Sequence, residues 1–220
     1  MEQNSTMYTL GTKKIFAAFA ILSSLLGIIF LIATLMQKPP LPNQVASYFE
    51  ASRGSFILFA TLSLVWSITT VPTLFAIGLV SKKSSNNGLS YTAIALTSAG
   101  ILLNGIVSFI YVGALLSIGN SSTIQGANSN YEMSIWTNLF YFMTDPALMI
   151  WGLGQFFLGI ILFSNIRYPK CLGIITMVGG LAGLLTLVVY QTPILAILQE
   201  VTLIILTSHF SVYLLRENKD

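Results

Sequence analysis

Long stretches without a single charged residue restrict this chain more than anything else in it. Residues 15–37, 54–81, 84–131, 146–166 and 171–199 carry no Asp, Glu, Lys or Arg. A helix needs about 20 apolar residues to cross the hydrocarbon core of a bilayer. Five of these runs are long enough. A sixth apolar stretch, Pro193 to Arg216, is interrupted only by Glu200 and the single histidine, His209. In lipid every backbone N–H and C=O must be satisfied within the structure, which leaves helices or a closed barrel. Apolar residues here are continuous rather than alternating, which excludes the barrel. Composition agrees: 8% of residues are charged, against about 25% in soluble domains. The expected fold is therefore all-α, a polytopic membrane protein built as a bundle of six transmembrane helices in one domain.

The spans read as about 15–36, 55–80, 89–117, 146–165, 169–190 and 193–216. Prolines 39, 40 and 42 stop the first span. Val45 to Ser52 then reads as a short interfacial helix. Pro72 lies within span 2 and predicts a kink. In span 3, Ala93, Thr97, Gly100, Asn104, Ser108, Tyr111 and Ala114 recur every three or four residues. Such a small-and-polar stripe belongs on the bundle interior. Residues 118–134 read as a polar outer loop, with a sequon at Asn120.

The start of span 4 has two readings. In one, Asp145 is an N-cap and Pro146 the first helical residue, a favoured pairing. Residues 135–144 then form an aromatic segment in the outer interface. In the other, the helix starts near Ile135 and buries Asp145. The cap is the preferred reading. In span 5, Gly179 and Gly183 form a GxxxG suited to close packing against a neighbouring helix.

Orientation follows from Lys and Arg. Residues 13–14, loop 81–88, loop 164–170 and the C-terminal tail hold two each, and the opposite side holds only Lys38 and Arg53. Both termini are expected in the cytoplasm, in the cell (inner) membrane of a prokaryote, since tails and loops are minimal.

Glu200 is the residue that asks for an explanation. A carboxyl within a span costs roughly 2.5–3.5 kcal/mol on insertion scales, so it is expected to face protein or serve a function. It lies about 10 Å below Pro193. Tyr111 and Ser108 of span 3 and Ser63 of span 2 fall at a similar depth. A buried polar cluster of Glu200, Tyr111, Ser108, Ser63 and Asn104 is therefore the candidate site. The alternative is that Glu200 reaches up to the outer interface. His209 lies about 13 Å along the helix and on its far side, so the two make no catalytic pair.

Several chemistries are excluded or unsupported. One histidine and one cysteine leave no usual zinc ligand set. There is no Gly-x-Ser-x-Gly elbow, P-loop or dinucleotide fingerprint. No catalytic residue, metal or cofactor is assigned. The basic residues are too scattered for nucleic acid. Cys171 reads as a packing residue. The expected partner is the lipid bilayer, with another membrane protein or a small molecule as further candidates.

From Ala147 to Leu185 the chain shows Trp151-Gly152, an apolar run, Arg167 and Pro169 in a short turn, Leu172-Gly173, and Gly179-Gly180. This pattern resembles the small bacterial six-span membrane proteins grouped as domain of unknown function family 4386. The resemblance implies the six-span fold and carries no chemistry, because that family has no established activity. Three functions stay open on the sequence. The first is a non-catalytic membrane-embedded binding, sensing or accessory protein. The second is a small transporter or permease with a polar path along spans 2, 3 and 6. The third is a lipid-modifying enzyme.

Overall fold

The structure is a computed structural model and describes residues 10–36, 45–81, 87–120, 127–166, 168–186, 188–189 and 193–216. The three prolines before residue 45 and the middle of the Asn120 sequon lie outside these. Six helices follow one another: α1 Leu10–Met36, α2 Val45–Ser81, α3 Asn87–Asn120, α4 Ala127–Ser164, α5 Lys170–Leu185 and α6 Pro193–Arg216. Five are long and apolar enough to cross a membrane, and α5 is a shorter apolar helix of 16 residues. The protein is an all-helical, multi-pass membrane bundle.

Each helix packs on the next in sequence, and α6 closes the circle against α1. Neighbours are antiparallel. Ser23 meets Thr70, while Gly27, further along α1, faces Trp66, which lies earlier in α2. Gly27 also abuts Ile204, and Ser24 bonds Thr207, so α1 and α6 run oppositely and the start of α1 shares a face with the end of α6. At one level aromatic rings fill the middle. Trp66 of α2 meets Trp151 of α4 edge-on, with ring centroids 5.9 Å apart, and Phe30 of α1 stacks on Trp66 at 5.1 Å. Both indoles are buried.

Glycines set how close the helices come. A methyl group at Gly100 would overlap the backbone of Trp151, so α3 and α4 touch backbone to backbone there. At Gly152 it would lie 2.7 Å from the Gly180 carbonyl oxygen. Small residues make this approach possible, and dispersion between the close backbones then holds the helices together in lipid.

The tryptophan layer serves as a level from which to measure the helices. Toward the termini all six reach about 18–26 Å beyond it, at 1.5 Å per residue. The other side is stepped. From Gly183, α5 continues only about 3 Å, whereas α1 continues about 14 Å from Gly27 and α6 about 17 Å from Ile204. Meanwhile α2, α3 and α4 run on for about 30–36 Å from Trp66, Gly100 and Trp151. Three helices therefore project well past the other three. They share a second apolar core of Phe49, Phe56, Tyr111, Leu115 and Met133, separate from the main one.

This outcrop corrects three expectations. Residues 45–54 are the first turns of α2, not a separate interfacial helix, and residues 127–134 are helical rather than loop. Helix α4 runs unbroken through Asp145 and Pro146, so Asp145 is not an N-cap. Cap chemistry is only a local preference. Here the packing of Met133 against Phe49 and Leu115 carries the helix past the signal, and proline is tolerated within a membrane helix where neighbouring groups re-satisfy the backbone.

Candidate functional site

The polar side chains of the bundle are mostly hydroxyls, and their partners follow from the helix they sit on. In a span a Ser or Thr bonds a carbonyl one turn back by default. Ser67 donates to the Ser63 carbonyl at 2.6 Å, Thr70 to that of Trp66 at 2.7 Å, and Thr97 to that of Ala93 at 2.7 Å. The bonds between helices matter more here. Ser23 and Thr70 tie α1 to α2 at 2.7 Å, and Ser24 donates to Thr207 at 3.2 Å to tie α1 to α6. Ser67 also reaches the Ile101 carbonyl at 3.0 Å, joining α2 to α3.

The predicted cluster divides between two sides of the ring. Ser63 and Ser108 face each other at 3.5 Å where α2 meets α3, and Ser108 also donates to the Asn104 carbonyl at 2.9 Å. Tyr111 turns the other way. Its hydroxyl meets Thr137 of α4 at 3.1 Å and its ring stacks on Phe140 at 4.5 Å, beside a shallow apolar groove between α3 and α4. Glu200 stands apart from the α3 residues, because α6 packs on α5 and α1 and touches α2, while α3 packs on α2 and α4. Depth alone matched these residues in the sequence. In a closed ring of six, α3 and α6 stand on opposite sides, so equal depth does not bring them together.

Glu200 is 4% exposed, and its Oε2 has no hydrogen-bond partner among the described residues. On α6 it shares a face with Ile204 and Thr207, which touch Gly27 and Ser24 of α1. The carboxyl therefore points toward the α1 side of the interior. Asp145 is buried on α4, in the stretch just above the level where α5 ends.

Two glutamines that the sequence reading passed over form the tightest polar junction. Gln155 and Gln199 are both fully buried. Gln155 Nε2 donates to Thr202 Oγ1 at 2.7 Å, and Thr202 in turn donates to the Gln199 carbonyl at 2.9 Å. Gln199 Nε2 donates to the Leu148 carbonyl at 3.1 Å. Helices α4 and α6 are thereby linked across α5. The GxxxG explains why there is room. Gly179 lies against Thr202 and Gln155, and a methyl group at Gly183 would sit 2.5 Å from the Gln199 amide nitrogen. With both amide nitrogens engaged, Gln155 Oε1 and Gln199 Oε1 have no partner among the described residues, and nor do the indole nitrogens of Trp66 and Trp151. The sequence did hold a signal. Gln155 and Gln199 are the glutamines within α4 and α6, and Gln199 is the chain neighbour of Glu200.

Among the described residues no group of three or more His, Cys, Asp or Glu side chains is placed to hold a metal. The buried groups are amides, hydroxyls, indoles and the carboxyls of Asp145 and Glu200, suited to holding helices together or accepting hydrogen bonds.

A profile for the domain of unknown function DUF4386 matches residues 15–217. The chain belongs to the DUF4386 family. The match extends the local resemblance of residues 147–185 to most of the chain, including its first half. No curated protein and no solved structure matches the chain. Membership in DUF4386 fits the six-helix membrane bundle and brings no substrate or reaction with it.

Proposed function

We propose that this DUF4386 protein is a non-catalytic, membrane-embedded binding, sensing or accessory protein. The observation that carries this reading is the filled centre of the ring. Trp66, Trp151 and Phe30 occupy the middle at their level, and the amide nitrogens of Gln155 and Gln199 and the hydroxyls of Ser23 and Ser24 tie one helix to another. A catalyst or permeation path needs polar groups that converge on a substrate, whereas these converge on each other. The protein sits in the cell membrane with both ends in the cytoplasm. Support comes from Lys14, Lys170 and Arg216, which lie at the face where α1 and α5 begin and α6 ends, in keeping with the positive-inside rule.

Small-molecule transport is the second reading, and the unpartnered oxygens of Gln155, Gln199 and Glu200 favour it. The path would then run by α4, α5 and α6 rather than by spans 2, 3 and 6. Cysteine accessibility decides between the two. With Cys171 replaced, single cysteines at 63, 108, 111 and 200 are exposed to a membrane-impermeant thiol reagent. The accessory reading expects protection at all four positions in folded protein. Rapid labelling at 200 would overturn it in favour of an open cavity.

A further inference from the structure

We propose that ordered water is built into the centre of the bundle, where it bridges the indole N–H groups of Trp66 and Trp151 to the side-chain oxygens of Gln155, Gln199 and Glu200. None of the five residues is more than 4% exposed. Each ends in a polar atom without a hydrogen-bond partner among the described residues: the two indole nitrogens, Gln155 Oε1, Gln199 Oε1 and Glu200 Oε2. They are neighbours in the fold. Trp151 and Gln155 are one turn apart on the same face of α4. The rings of Trp151 and Trp66 meet at 5.9 Å. Trp66 Nε1 and Ile204 Cγ1 lie 2.9 and 2.8 Å from the place a Gly27 methyl would take, and Glu200 is one turn before Ile204. Gln199, which precedes Glu200, rests on Gly183, one turn along α5 from the Gly179 that meets Gln155. All five side chains are rooted within about 8 Å above or below the tryptophan layer.

The free atoms are held apart from one another. Gln155 Nε2 is bound to Thr202 and Gln199 Nε2 to the Leu148 carbonyl, which fixes where each amide oxygen points. Trp66 is clamped between the Phe30 ring, at 5.1 Å, and Gly27. Buried polar atoms in native proteins are nearly always hydrogen-bonded, and ordered water serves where the protein offers no partner. Here the partner has to accept from two N–H groups and donate to three oxygens. A metal cation meets only the oxygens and a halide only the N–H groups, whereas water meets both. Size points the same way. Methyl groups at Gly27, Gly179 and Gly183 would already overlap Trp66, Thr202 and Gln199, so the glycine faces leave no space for a bulkier ligand. Water in this place gives the Glu200 carboxyl a hydrogen-bonding neighbour that the described side chains do not supply.

This inference goes beyond the proposed function and does not depend on it, because a thiol reagent kept away from position 200 is far larger than a water molecule. The test takes two readings on folded protein in nanodiscs. In Trp136→Phe the tryptophans left in the chain are Trp66 and Trp151, and ultraviolet resonance Raman reports whether their N–H groups are hydrogen-bonded. Millisecond X-ray radiolysis of the wild type then makes hydroxyl radicals from bound water, which oxidise the side chains beside it. Phe210, at 1% exposure, is the buried control. The expected result is a hydrogen-bonded N–H band, with Trp66 and Trp151 oxidised at least tenfold faster than Phe210. Gln155→Leu, in the fraction that elutes as folded protein, should slow oxidation of Trp151 at least threefold. A free N–H band overturns the proposal. So does a bonded band with tryptophan oxidation no faster than at Phe210, which would mean direct bonds between side chains. Oxidation of Trp151 unchanged by Gln155→Leu overturns it as well.

Discussion

Gln155 and Thr202 show what one polar pair does in a membrane protein. Lipid is as apolar as leucine, so helices gain little from hiding apolar surface from one another, and a hydrogen bond between helices averages about 0.6 kcal/mol with a ceiling near 1.7. Gln155→Leu removes the bond to Thr202 at 2.7 Å and places a branched chain against Gly179. The expected loss is about 1–2 kcal/mol, read from unfolding in mixed micelles. Gln155→Glu, which keeps the shape, should separate the bond from the packing. Glu200 gives a different expectation. Its Oε2 lacks a described partner, so Glu200→Gln should keep stability within about 1 kcal/mol. Glu200→Lys puts a cation into the same buried place and should abolish folded yield on size-exclusion chromatography. A Lys variant as stable as wild type would mean that the position opens to water.

At the scale of the element, the legible and the illegible divide by what each depends on. The start of α6 at Pro193 was legible because proline is favoured in a first helical turn. Length and hydropathy made the number of helices legible. The continuity of α4 was not, since Asp145-Pro146 is a good local start signal and only the packing of Met133 and Trp136 against α2 and α3 overrides it. The site was legible in part. Burial of Asn104, Ser108 and Tyr111 followed from their spacing on span 3, that of Glu200 stayed open between interior and outer interface, and the grouping did not follow, because depth along a helix says nothing of position around a ring. Packing of the outcrop carries its own prediction. Met133→Ala, at 1% exposure, should cost about 2–4 kcal/mol locally. The loss should appear as new protease cleavage in residues 45–56 and 127–140, with the membrane-buried part still resistant. Cleavage spread over all six helices would mean that the outcrop and the bundle unfold as one unit.

On the scale of the molecule, the bundle is level on the face that holds the helix ends near the termini and stepped on the other. The step gives a protein with very short loops a structured surface outside the bilayer, built from the ends of its own spans. The most direct measurement of this account is a depth profile by spin labels on α4 at 131, 135, 138, 142 and 146, in nanodiscs. Collision with a water-soluble nickel reagent is compared with collision with oxygen at each site. The stepped bundle predicts oxygen-dominated relaxation at 146 and a steady rise of nickel accessibility from 142 to 131, with 131 close to fully aqueous. Oxygen-dominated relaxation at every site up to 131 would contradict it, because α4 would then lie in lipid along its whole length and the outcrop would not stand outside the membrane.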